Sequence, residues 1–279
     1  MFCEKTTLAK IHQSQLDMML PKVLLLNACG IASMVQVLNY FNKLDKSPED
    51  LFLDFVEFGK YTRPLVNVIF PSLPGIKIPY APVLNTMERG EVLEEVKAWS
   101  KLNSQRDNIK GRVSISVDLP TDITYLPTFS IKYGTDSRGM KSFLTSKGLD
   151  VSLYEYTEGG IEGDSLNHTI MRDVKRFVKT LQKFLSEGEL IVVSLRKSAV
   201  PYLNSLAAEI YGSEAPELED THLVTLKQIE GKIYVVDPLV RDSREAIRCI
   251  SPSHLLEGLT GDRFRSRFLV VKGHSHRTS

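Results

Sequence analysis

The sequence is short of cysteine: Cys3, Cys29 and Cys249 are the three such residues in a chain of 279. An odd and small number makes no disulfide framework, and neither a CxxC pair nor the Cys/His spacing of a structural zinc site is present. Free thiols fit a reducing compartment. An excess of charge is also missing. Lys+Arg is 35 against Asp+Glu 34, a formal net charge of +1, which argues against a strongly basic nucleic-acid-binding surface. No run of about 18 apolar residues occurs, so no bilayer-spanning helix is expected. Pro21 and Lys22 break the stretch before Leu24-Leu25-Leu26, which runs into Asn27. No cleavable signal peptide is read there. The expectation is a cytoplasmic protein with neither a membrane nor a nucleic-acid partner.

What is present is ordinary globular material. Hydrophobic residues make up 42% and charged residues 25%, enough to build a core. The length suits one large domain or two modest ones. Ile31, Met34, Val35, Leu38 and Phe41 fall at helical spacing behind Asn27-Ala28-Cys29-Gly30, which predicts a deeply buried helix. A second helix starts at Ser47-Pro48-Glu49-Asp50: Ser47 caps, Pro48 suits the first turn and the acids complement the dipole. Residues 60–85 are Pro-rich and irregular. Glu91 to Leu102 reads as an exposed helix, and Ser114–Asp118 and Thr128–Ile131 as short strands. Further on, a helix over 137–144 ends by Gly148, and a strand follows at Val151–Tyr156. An amphipathic helix over 173–184 stops near Gly188, ahead of a buried strand at Leu190–Leu195. Thr221–Gln228 and Lys232–Val236 read as a hairpin around Glu230-Gly231, and Phe268–Val271 as a last strand. Residues 273–279 read as a flexible tail. Helices first and strands later make an α+β layout. No domain boundary is evident, although residues 44–112 read as an inserted helical segment.

Three residues stand out chemically. Cys29 lies at the predicted N-terminus of the buried helix, where unpaired N–H groups and the helix dipole lower a thiol pKa. Taken alone it reads first as a small core residue. His222 opens the strand Thr221–Gln228, placed for a general base leaning toward a helix N-terminus. Asp237 ends the next strand, before Pro238. A tight hairpin returns the chain to the level of His222, where a carboxylate orients the imidazole. His168 and His254 are the other candidate bases. His274 and His276 have a metal-like spacing but lie in the tail, and the basic face of Lys175, Arg176, Lys179 and Lys183 reads as solvated surface.

The stretch Asn27 to Phe41, with its Cys-Gly and its Leu38-Asn39-Tyr40 ending, resembles the nucleophile helix of the C39-like peptidases, a papain-like cysteine peptidase group. Leu185 to Ser194 is similar to their helix, Gly turn and buried strand. Thr221–Leu226 and Ile233–Pro238 resemble their His strand and Asp-Pro strand. Arg138–Tyr156 resembles an intermediate helix and strand. The resemblance implies a papain-like α+β fold, with the N-terminal nucleophile helix packed on a C-terminal antiparallel sheet. It implies Cys29 as nucleophile, His222 as base and Asp237 as orienter, acting on a peptide or isopeptide-type bond of a peptide or protein substrate. No metal or cofactor is called for.

The chain departs from the family in two places. The family's Gln about six residues before the nucleophile is Val23 here, so Asn27 and Gln15 are the candidate oxyanion donors, with Gln13 nearby. The interval from Cys29 to His222 is long, in keeping with an insertion over 44–112. The double-glycine-trimming members carry membrane helices of a kind not found here. Phytochelatin synthases share Cys-Gly followed by Ala-Ser and a Val-Leu-Asn run, and Val193–Lys197 is faintly similar to them. They transfer a γ-glutamylcysteine unit and give the second reading. A peptidase-like module that binds without cleaving is the third.

Overall fold

The computed structural model describes residues 2–20, 25, 28–62, 129–130, 134–157, 163–164, 169–196, 221–260 and 266–273. Its helices are α1 (Phe2–Ile11), α2 (Cys29–Tyr40), α3 (Pro48–Thr62), α4 (Ser137–Ser146), α5 (Val174–Ser186), the single turn α6 (Ser243–Ala246) and α7 (Pro252–Thr260), with a 3-10 turn at Gln15–Asp17. The strands are β1 (Phe129–Ser130), β2 (Gly134–Thr135), β3 (Leu149–Tyr156), β4 (Gly163–Asp164), β5 (Thr169–Met171), β6 (Leu190–Arg196), β7 (Thr221–Ile229), β8 (Lys232–Val236), β9 (Ile247–Ile250) and β10 (Ser266–Gly273). β1 and β2 pair with each other. The other eight form one sheet in the order β4-β5-β3-β10-β6-β7-β8-β9.

Alternation along the strands builds a core on each face of that sheet. Leu190 and Val192 of β6, with Leu269 and Val271 of β10, face a cluster shared with α2, α3 and α4. Ile191, Val193, Phe268 and Val270 face the opposite cluster, closed by Phe177, Leu181 and Leu185 of α5 and by Leu255 and Leu259 of α7. Tyr154 stacks on Phe268 with ring centroids 4.9 Å apart. The helix α2 is buried continuously from Gly30 to Leu38, which explains why its sequence carries so few polar residues. Each buried Ile, Met, Val or Leu there contributes about 1.5–3 kcal/mol. Leu51, Phe52 and Phe55 of α3 pack into the same cluster as α2, so residues 48–55 are built into the main core. Residues 63–112 of the segment expected as an insertion lie outside the described residues, and so do the helix over 91–102 and the strand over 114–118.

Local chemistry sets the element ends. Asp136 and Asp173 accept from the backbone N–H of Gly139 and Lys175 and cap α4 and α5. Gly148 and Gly188, both at φ 76°, end those helices. Glu230 at φ 49° and Gly231 at φ 76° make the two-residue turn between β7 and β8, the left-handed pair that a tight hairpin requires.

Two expectations need correction. The sheet is mixed instead of antiparallel, because β5 runs parallel to β3. The chain reverses after β3 to form β4, then reverses again into β5, which inserts between the two. Gly273 belongs to β10, paired with Leu149. It lies close to the Phe41 ring, where a glycine lets the strand pass. Residues 274–279 lie outside the described residues. Among the described residues no helix is long and apolar enough to cross a membrane.

Helix α2 is tied to the sheet by more than apolar contact. Thr225 of β7 donates to Gln36 Oε1 at 2.7 Å, and Gln36 Nε2 donates to the Gln13 carbonyl at 3.2 Å. Gln36 and Thr225 are both fully buried, so an unpaired partner is costly. Thr225→Val keeps the shape but strands the Gln36 oxygen. Urea unfolding should register a loss of about 1–3 kcal/mol, and an unchanged midpoint would show that the bond contributes nothing net.

Candidate active site

Cys29 is the first residue of α2. The N-cap, Ala28, has no side chain able to bond the free N–H groups, so the positive end of the helix is left open at the thiol. Gly30 follows for a steric reason. A Cβ at this position would overlap the Thr135 side chain of β2, so only glycine lets β2 close against the start of the helix. Cys29 itself keeps part of its surface accessible.

His222 enters from the start of β7 and is 2% exposed, and Asp237, one residue past β8, is fully buried. The β7–β8 register pairs Thr225 with Val236, so the hairpin carries Asp237 back beside the beginning of β7. His222 Nε2 donates to Asp237 Oδ1 at 2.9 Å. The Cys29 thiol and the His222 side chain act on each other as charge and hydrogen-bonding partners in setting their pKa values. With Nε2 engaged by the carboxylate, Nδ1 is the ring nitrogen left for sulfur. Cys29, His222 and Asp237, singled out from the sequence, are thus brought together in one cluster.

Electrostatics within that cluster favour charge separation. Burial pushes the Cys29 thiol up, but the hydrogen bond and positive charge of His222, with N–H groups of Leu223 and Gly30 directed at sulfur, bring it net below its ordinary value. Burial pushes His222 down, but the charge and hydrogen bond of Asp237, joined by Cys29, raise it to about 10. A thiolate–imidazolium pair is the form these shifts favour.

Asp237 is held on every side. Oδ1 also accepts from the Leu239 N–H at 2.9 Å. Oδ2 accepts from Arg248 Nη2 at 3.1 Å. Its backbone N–H donates to the Ala246 carbonyl at 3.0 Å, and its own carbonyl accepts from His12 Nε2 at 3.2 Å. Next to it, the Pro238 carbonyl accepts from the Gln15 N–H at 2.7 Å and from the Ser14 hydroxyl at 3.3 Å. The segment following α1 thus straps the Asp-Pro corner in place. Sequence reasoning missed His12, Gln36, Thr225 and Arg248. No spacing pointed to them, since each acts across the fold.

Of the oxyanion candidates, Asn27 lies outside the described residues. Gln15 is fully buried, with its amide nitrogen donating to the Leu25 carbonyl in the approach to α2. Its Oε1 has no hydrogen-bond partner among the described residues. His254 is exposed on α7 and bonded to Ser251 at 3.3 Å, while His168, His274 and His276 lie outside the described residues. Among the described residues no group of three His, Cys, Asp or Glu side chains is arranged to hold a metal ion. No family model matches the chain, and no curated protein and no solved structure is significantly similar to it. The likeness to the C39-like peptidases rests on the quoted residues alone.

Two outcomes follow from this geometry. Thiolate persists below the usual cysteine range, so iodoacetamide should alkylate Cys29 faster than exposed Cys249 at mildly acidic pH, with the excess lost in His222→Ala. Equal rates would show an ordinary thiol. Gly30→Ala should cost about 1–3 kcal/mol by overpacking against Thr135, and a thermal melt matching that of the parent would show that β2 yields freely.

Proposed function

We propose that this chain is a papain-like cysteine peptidase of the C39-like kind, cleaving a peptide or isopeptide-type bond in a peptide or protein substrate. The observation that carries this reading is the cluster of Cys29, His222 and Asp237, with the thiol lowered and the imidazole raised. Such pairs of opposed shifts gather where a nucleophile and an acid must coexist.

The steps balance on these three residues. The Cys29 thiolate attacks the carbonyl carbon and forms a C–S bond. The His222 imidazolium gives its proton to the leaving amine as the C–N bond breaks, leaving an acyl thioester and a neutral ring. A water then attacks the acyl carbon while His222 takes its proton. The C–S bond breaks, the acid departs and the thiolate–imidazolium pair is restored. Asp237 keeps the ring oriented and supports its charge throughout. A free catalytic thiol belongs in a reducing setting, in keeping with a cytoplasmic location.

One observation favours the binding-module reading. Gln15 commits one of its amide hydrogens to the Leu25 carbonyl, which draws that group away from the role of side-chain oxyanion donor. Transpeptidation of the phytochelatin-synthase kind shares the first half of the scheme and differs in the acceptor, an amine in place of water.

The test is a mixed synthetic peptide library incubated with the protein and read by mass spectrometry. Cleavage is expected from the parent protein. It should be abolished in Cys29→Ser with folding near normal, because the change is close to isosteric. Cleavage surviving in that variant would refute the nucleophile. Peptide retention without cleavage, together with an unreactive Cys29, would favour the module.

A further inference from the structure

Strand β9 contributes a charge that the three-residue scheme does not use. Arg248 is paired in register with Val235 of β8, and its Nη2 reaches Asp237 Oδ2 at 3.1 Å. The carboxylate is fully buried, whereas the Arg248 side chain is 41% exposed. A partly solvated guanidinium is thus anchored on the far oxygen of the triad acid, opposite the oxygen that meets His222.

Charge counting gives this contact a role. Thiolate and carboxylate are negative, imidazolium and guanidinium positive, so the four together are neutral. Without the guanidinium, the thiolate–imidazolium–carboxylate set carries one net negative charge in a buried place. A thiol beside imidazolium and carboxylate carries none. Low dielectric favours the neutral arrangement, so a proton would stay on sulfur to higher pH. The loss would also leave Oδ2 buried without its arginine donor and the carboxylate less firmly aimed at Nε2.

We propose that Arg248 is a positioning residue of the site, fixing the outer oxygen of Asp237 and supplying the fourth charge that lets Cys29 rest as thiolate. This rests on the peptidase reading above. The other charged groups around the Asp-Pro corner do not supply that charge. His12, just after α1, faces the Asp237 carbonyl, and burial lowers its pKa, away from the charged form. Asp17 and Arg241 are exposed and paired with each other at 3.4 Å. Arg244 and Glu245 of α6 are exposed and opposite in sign. From the nucleophile side come His222 and Cys29 themselves.

The decisive measurement is the pH dependence of Cys29 alkylation by iodoacetamide, followed by peptide mass spectrometry from about pH 5 to about pH 9. It is run on the parent protein, Arg248→Ala, Arg248→Gln and Arg248→Lys, with thermal melts to establish folding. The alanine and glutamine variants should show the midpoint of reactivity raised by about one pH unit, a rate loss of about tenfold on the acid side. Lysine should keep most of the parent behaviour. Guanidinium chloride at tens of millimolar should restore the alanine variant and leave the parent unchanged, because the vacated position opens to solvent. Rescue by a free cation is not what a purely structural arginine would give. Folded alanine and glutamine variants with the parent midpoint would overturn the role, and so would a loss that neither lysine nor guanidinium repairs. Should the alanine variant not fold, glutamine against lysine decides the matter alone. A parent Cys29 no more reactive than Cys249 would instead overturn the triad itself, and this role with it.

Discussion

The contact between His222 and Asp237 governs the site. A carboxylate with no solvent exposure sits 2.9 Å from a ring that is almost as deeply buried. Such a pair is stable only when its remaining polar atoms are satisfied, since desolvating two charges costs more than their attraction returns when partners are missing. The structure meets that demand with the Leu239 N–H, the Arg248 guanidinium and the Cys29 thiol. The reactive arrangement and the means of burying it are the same set of bonds.

Much of the fold serves to keep that set aligned. The turn at Glu230-Gly231 fixes the β7–β8 register, and the register fixes which residue of β8 returns to His222. The Gln36–Thr225 bond locks α2 against β7, which holds the thiol at the height of the ring. The strap from His12 to Gln15 clamps the Asp-Pro corner from outside. These are short, directional contacts between elements far apart in the chain. They hold Cys29, which keeps part of its surface accessible, in front of an imidazole and a carboxylate that are shut off from water.

The quality of the sequence reading tracked the range of the interaction that decides each feature. The helices from 29, 48, 137 and 174 and the strands from 190, 221 and 232 were legible, because caps, glycine stops and periodicity are local. So was the candidate triad, since a thiol at a helix start and an Asp-Pro after a hairpin are local patterns as well. Strands β4, β5 and β9 were not legible. Two to four residues carry no usable period, and pairing with neighbours holds them in place. Arg248 was invisible for that reason: nothing near it in the chain marks it as a partner of a carboxylate just past the preceding strand.

The sequence by itself determined the α+β composition, the buried helix behind Cys29 and the hairpin that returns Asp237 to His222, because backbone propensity and hydrophobic alternation act over a few residues. Only the tertiary structure decided that β5 would lie parallel to β3, that β2 would close on Gly30, and that an arginine and an N-terminal strap would complete the surroundings of Asp237. Those outcomes depend on which distant surfaces meet when the core closes, and burial makes each polar group find its partner there.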